Sequence, residues 1–171
     1  AIFAGVEPET GDFFVAKKSV FNVSPKLYKT SKEIDDDLSG ALNSKFKVAL
    51  KEFSKLGIEG VLQGDLMWTD DVETETIDGT SYYTFQPNTI VYMVPEASGL
   101  GRKINSSKLG IIFHTTYKGS SFDKLSAKFG ANVSKLRRSP SVFFDDASYK
   151  DVSGVATMTI GEMQSFQKIL K

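Results

Sequence analysis

A carboxylate and an amide stand two residues apart in the apolar run Gly60-Val-Leu-Gln-Gly-Asp-Leu-Met-Trp68. Side chains alternate across a strand, so Gln63 and Asp65 project together with Val61 and Met67, while Leu62, Gly64, Leu66 and Trp68 take the other face. A carboxylate buried there without partners costs roughly several kcal/mol. Asp65 therefore calls for a ligand, a cation or a donor network, and the matching chemistry is metal or ribose binding with Gln63 beside it. The alternative is a sheet face that simply meets water, as antiparallel sheets commonly do.

Four other features carry two readings each. His114, the single histidine, sits in the run Gly110-Ile-Ile-Phe-His-Thr-Thr-Tyr117, either as a structural residue or as a further binding group; no His–His or His–Cys metal site can form. Lys17 and Lys18 end an apolar run, where a lysine snorkels to solvent or, at Lys18, meets phosphate as a point charge. Tyr92, within Asn88-Thr-Ile-Val-Tyr-Met-Val-Pro95, is either core or an aromatic face for a nucleobase. The basic cluster Lys135-Leu-Arg-Arg138 is a solvated helix end or a nucleic-acid contact of low specificity.

Catalytic motifs are missing. The sequence has no phosphate-binding G-x-x-x-x-G-K-[ST], no dinucleotide fingerprint and no G-x-S-x-G. Asp70-Asp71 and Asp145-Asp146 are adjacent pairs that point apart on a strand, so neither makes a two-carboxylate site. No catalytic residue is assigned.

The elements that must position these groups form an α+β pattern of antiparallel sheets with flanking helices. Apolar runs at residues 1–5 and 13–21 flank the turn-rich Glu7-Pro-Glu-Thr-Gly-Asp12, which predicts a hairpin. Thr30-Ser-Lys-Glu33 resembles a capping box that opens a short helix ending near Gly40. Leu42, Phe46, Ala49, Leu50, Phe53 and Leu56 recur at helical spacing over residues 41–56, and Gly57 supplies the stop. Strands are expected at residues 58–68, 82–86, 89–94 and 109–117. The acidic stretch 69–79 and residues 96–107 read as connections, and short helices and loops follow from Phe122. Ile160, Met163, Phe166, Ile169 and Leu170 share one face of a closing helix over residues 159–171. The chain opens on Ala1-Ile-Phe-Ala-Gly5 without a methionine and reads as cut from something longer.

Composition narrows the classes. At 171 residues, 40% of them hydrophobic, the chain fits one domain. Twenty-one basic residues balance twenty-one acidic ones, so no global field draws it to nucleic acid or an anionic membrane. Cysteine is absent, which excludes disulfides and thiolate catalysis and fits a reducing compartment. Apolar runs fall short of the roughly 20 residues a membrane helix needs. The expectation is a cytoplasmic protein with no membrane partner.

Phe3-Ala-Gly-Val-Glu-Pro-Glu-Thr-Gly-Asp-Phe-Phe-Val15, Leu62-Gln-Gly-Asp-Leu-Met-Trp68, Phe85-Gln-Pro-Asn-Thr-Ile-Val-Tyr92, Gly110-Ile-Ile-Phe-His-Thr-Thr-Tyr-Lys-Gly119 and Phe143-Phe-Asp-Asp-Ala-Ser-Tyr-Lys-Asp-Val-Ser-Gly154 together resemble an uncharacterised family from large contractile-tailed bacteriophages, marine ones included. Full-length members of that family look like covalent nucleotidyltransferases, the superfamily of ATP-dependent DNA and RNA ligases and capping enzymes. The resemblance implies a ligase adenylation-domain-like fold, ATP and Mg2+ as cofactors of the full-length parent, a nucleic-acid end as its partner, and the infected host cell as its location. It also implies a K-x-D-G lysine that attacks the nucleotide α-phosphate. No K-x-D-G occurs in this sequence. The chain then resembles an internal, catalytically inactive fragment. On the same resemblance Gly64-Asp65 replaces a Gly-Glu strand pair, Tyr92 falls where an aromatic stacks on the base, and Lys18 where a basic residue follows the first hairpin.

Other function classes stay open: a non-enzymatic phage scaffold, since a fold does not fix a function, or an assembly protein using Asp70 to Asp78 and Lys135 to Arg138 as interaction surfaces.

Overall fold

The computed structural model describes residues 1–17, 26–87, 89–147, 150–151 and 158–159. In chain order the first elements are β1 (Ile2–Val6), β2 (Phe13–Ala16), α1 (Ser31–Asp37), α2 (Gly40–Phe53) and β3 (Val61–Trp68). There follow β4 (Glu73–Ile77), β5 (Thr80–Phe85), β6 (Tyr92–Pro95), α3 (Gly99–Ser106) and β7 (Leu109–Lys118). A 3-10 turn (Phe122–Lys124) precedes β8 (Ser126–Phe129), β9 (Val142–Asp146), β10 (Lys150–Asp151) and β11 (Met158–Thr159). The architecture is α+β with antiparallel sheets. No described helix is long and apolar enough to cross a membrane.

The described residues form two compact units, one within Ala1–Asp65 and Phe113–Ser139, the other within Leu66–Ile112 and the described residues from Pro140 onward. In the first, strands run in the order β2-β1-β3-β7-β8. The expected hairpin is present: β1 pairs antiparallel with β2 and, on its other side, with β3, where Phe3 stands opposite Gln63. Phe3, Phe14, Ala16, Val61 and Phe122 gather into an apolar cluster.

The helices of this unit follow their sequence signals closely. Thr30 caps α1 by accepting from the Glu33 amide at 3.2 Å. Glu33 reaches back to the Lys29 amide at 3.1 Å, one residue before the cap, and so completes a reciprocal box. In α2, Phe46, Ala49 and Phe53 are buried as the spacing predicts, whereas Leu42 in the first turn is exposed. The helix closes at Phe53; Leu56 is reached through a turn in which its amide bonds the Phe53 carbonyl.

In the second unit β5 is the middle strand of a β4-β5-β6 sheet, β9 pairs with β7, and β10 pairs with β11. Two segments taken from sequence as connections hold structure: β4 lies within 69–79 and α3 within 96–107. Ser98 caps α3, its hydroxyl accepting from the Gly101 amide at 3.0 Å. Beyond Phe122 the expected short helix and loop are present as the 3-10 turn and residues 130–138, but β8 and β9 are added to them, and Lys135 to Arg138 lie in a turn and coil, not at a helix end. The helix expected over 159–171 lies outside the described residues apart from Thr159, which belongs to β11. The core of this unit surrounds Trp68, whose ring stacks on Phe143 (5.4 Å between centroids, 17° between planes) and tilts against Phe85 at 5.3 Å. Gly110 permits that packing, because a Cβ there would come within 2.5 Å of the indole.

Candidate functional site

Strand order brings the polar residues of β3 and β7 together in the first unit. Only the middle of β3 alternates: Gln63 is half-buried, Gly64 buried and Asp65 exposed, whereas Val61 and Met67, expected on the same face as Asp65, are buried. The Asp65 side chain is 58% exposed, and its Oδ1 lies 3.8 Å from His114 Nε2. That distance makes the two electrostatic neighbours, too far apart for a hydrogen bond. The other ring nitrogen, Nδ1, shares a 2.7 Å hydrogen bond with the Thr115 hydroxyl, which fixes the imidazole from behind.

Gln63 receives a 2.8 Å hydrogen bond at Oε1 from the Tyr117 hydroxyl. Burial raises the Tyr117 phenol above its ordinary value. It therefore stays protonated, and a donor, well beyond neutral pH. The Gln63 amide nitrogen is left as the group that can offer donors to a ligand. The result is a short polar strip of Gln63, Asp65, His114, Thr115 and Tyr117 on two adjacent strands.

The other candidates from sequence are not part of this strip. Lys18 lies outside the described residues. Tyr92 belongs to the second unit, is 1% exposed, and stacks its ring on Phe85 at 5.2 Å and 8°. A ring so placed packs within the core and offers no open face to a nucleobase.

Metal chemistry at Asp65 is constrained by its surroundings. Among the described residues no group of three or more His, Asp and Glu side chains gathers to hold a metal ion. Asp65 can supply one carboxylate to a cation whose remaining ligands are water or phosphate oxygens, a manner common for magnesium.

Among the clefts that the described residues of this unit form, two lie near these groups. One, of about 460 Å³, is bordered by Glu59, Gly60, Tyr117 and Lys118, and so shares Tyr117 with the polar strip. The other, of about 470 Å³, is lined by Glu7, Glu9, Glu33 and Asp123 around Lys29. Four carboxylates to one ammonium disfavour a polyphosphate there. Lys29 Nζ bonds Glu7 at 2.8 Å and Asp12 at 3.1 Å.

These contacts carry a pH prediction. The hydrogen bond from Lys29 is the largest cause holding both Glu7 and Asp12 below their ordinary values. Groups with depressed folded values stabilise the fold above their unfolded pKa, near 4.3 for Glu and 3.9 for Asp. That contribution is lost as the pH falls through the lower folded values. Lys29→Met is expected to shift the acid unfolding midpoint upward, read by circular dichroism between pH 6 and about 2. An unchanged midpoint would remove the cluster from the acid limb.

The whole chain, residues 1–171, matches the model of a family of unknown function, DUF6267. The chain belongs to DUF6267. No curated protein and no solved structure matches it. In this DUF6267 chain, Tyr117 and Thr115 are the site residues that sequence reading missed. Both stand in the same Gly110-to-Tyr117 run as His114, and a polar tail after five buried residues was the available signal.

Proposed function

We propose that this DUF6267 chain is a nucleotide-binding domain of the ligase type that lacks a lysine nucleophile, a bacteriophage protein working in the infected host cell. ATP with Mg2+ is the ligand. Asp65 meets the ribose hydroxyls or the cation, and Gln63 and His114 offer donors on either side of it. The observation that carries this reading is a solvated carboxylate at Asp65 on a central strand, 3.8 Å from an imidazole already anchored by Thr115. Nucleotide transfer to an RNA or DNA end needs a lysine that no K-x-D-G supplies in this sequence. The chain accordingly binds without forming a covalent adduct.

The test is calorimetric titration of ATP with Mg2+ into the chain and into Asp65→Ala. Asp65 is solvent-exposed, so its replacement leaves the fold intact. Binding by the parent, weakened at least about tenfold in Asp65→Ala, is the expected result, since lost hydrogen bonds to a charged group cost about 1.5–3 kcal/mol. Equal affinity in the two proteins would reject the site; no heat from either would reject the nucleotide.

A second reading, a non-enzymatic scaffold or assembly protein of the phage, is favoured by a separate observation. Strands β4 and β8 are exposed along their whole length.

A further inference from the structure

We infer that copies of this chain associate head to tail by strand addition, the β4 edge of one copy pairing antiparallel with the β8 edge of the next. This gives the assembly reading a specific contact and stands apart from nucleotide binding. Among the described residues β4 pairs only with β5, and β8 only with β7. Each therefore presents one row of backbone N–H and C=O groups that another strand can complete. Gly130, just past β8, is held inward toward β7: its amide donates to the His114 carbonyl at 2.6 Å and its carbonyl accepts from the Thr116 hydroxyl at 2.9 Å. The outward row of β8 is left as the free side.

The side chains choose the partner. β4 reads Glu73-Thr-Glu-Thr-Ile77, and β8 reads Ser126-Ala-Lys-Phe129. Pairing β4 with another β4 sets glutamates against glutamates, and β8 with another β8 brings lysines together; like charges directly opposite are destabilising. Pairing β4 with β8 is complementary. With Lys128 opposite Glu75, Phe129 falls opposite Thr74, Ala127 opposite Thr76 and Ser126 opposite Ile77.

This register continues rows already present in the protein. Thr74 faces Tyr83 and Glu75 faces Tyr82 across β5, while Thr115 faces Phe129 and Thr116 faces Lys128 across β7. One row becomes Thr115, Phe129, Thr74, Tyr83, which covers a phenylalanine 83% exposed in the single chain. The other becomes Thr116, Lys128, Glu75, Tyr82. Because the two edges differ, the contact is heterologous, and it propagates or closes into a ring.

Light scattering on the full chain, from micromolar to millimolar concentration, tests this. The mass is expected to rise with concentration and to fall back with added salt. Glu75→Lys and Lys128→Glu are each expected to stay monomeric, and the double variant Glu75→Lys with Lys128→Glu to associate again. Phe129→Ser, at a solvent-exposed position, is expected to weaken association without loss of ellipticity. A monomer at every concentration overturns both the contact and the assembly reading. Association that ignores both single charge changes overturns the contact alone. Neither residue lies in the Asp65 strip, so a failure here is separate from a failure to bind ATP.

Discussion

Trp68→Ala is expected to destabilise the second unit by about 3–5 kcal/mol, the range for removing a large buried aromatic. The indole does three things at once. It stacks on Phe143, tilts against Phe85, and donates from Nε1 to the Ser107 hydroxyl at 3.2 Å. Gly110, which lies directly beneath it, has no side chain with which to fill the space the indole vacates. The cavity should therefore stay open, which places the cost toward the upper end of the range. Trp68→Phe keeps the ring contact and loses the hydrogen bond, and should cost less than half as much. Urea unfolding followed by circular dichroism measures both. A loss below about 1 kcal/mol for Trp68→Ala would mean that the cluster collapses onto the gap, contrary to the packing described.

The sequence signals that succeeded were local. The hairpin of β1 and β2, the capped start of α1 and the buried face of α2 each depend on residues within one or two turns of each other. β4 escaped because it has no apolar alternation: all five of its residues are exposed. Its signal was the turn instead. Asp78 and Gly79 take φ of 50° and 80°, the pair of positive values that an Asp-Gly hairpin turn adopts, and that dipeptide was in plain view. α3 was obscured by Gly99 and Gly101, both poor helix formers. Its Ser98 cap and the buried pair Leu100 and Ile104, four residues apart, outweigh them.

The site was legible by half. Alternation alone joined Gln63 to Asp65, because both lie on one strand. What surrounds them comes from β7, some fifty residues away in sequence, and no local pattern announces that pairing. Tyr117 donating to Gln63 spans 54 positions. Tyr92 shows the opposite difficulty. Position in a strand cannot separate an aromatic that packs from one that binds; its stack on Phe85 within the second unit's core makes that distinction.

Phe53→Ala is the corresponding expectation for the first unit, again with a loss of about 3–5 kcal/mol. Phe53 closes α2, is fully buried, and sets its ring 6.0 Å from that of Phe113. It therefore links α2 to strand β7. Phe113 immediately precedes His114, so the packing that fixes one ring also fixes the backbone from which the imidazole reaches toward Asp65. The substitution should thus be felt twice. Urea unfolding should show the lost stability, and the His114 ring resonances should shift as the strand relaxes. Phe53→Leu fills most of the gap and should restore the resonances while recovering more than half of the stability. If Phe53→Ala lowers stability but leaves the His114 resonances where they were, the imidazole is held by its Thr115 hydrogen bond alone, and helix packing has no part in positioning the site.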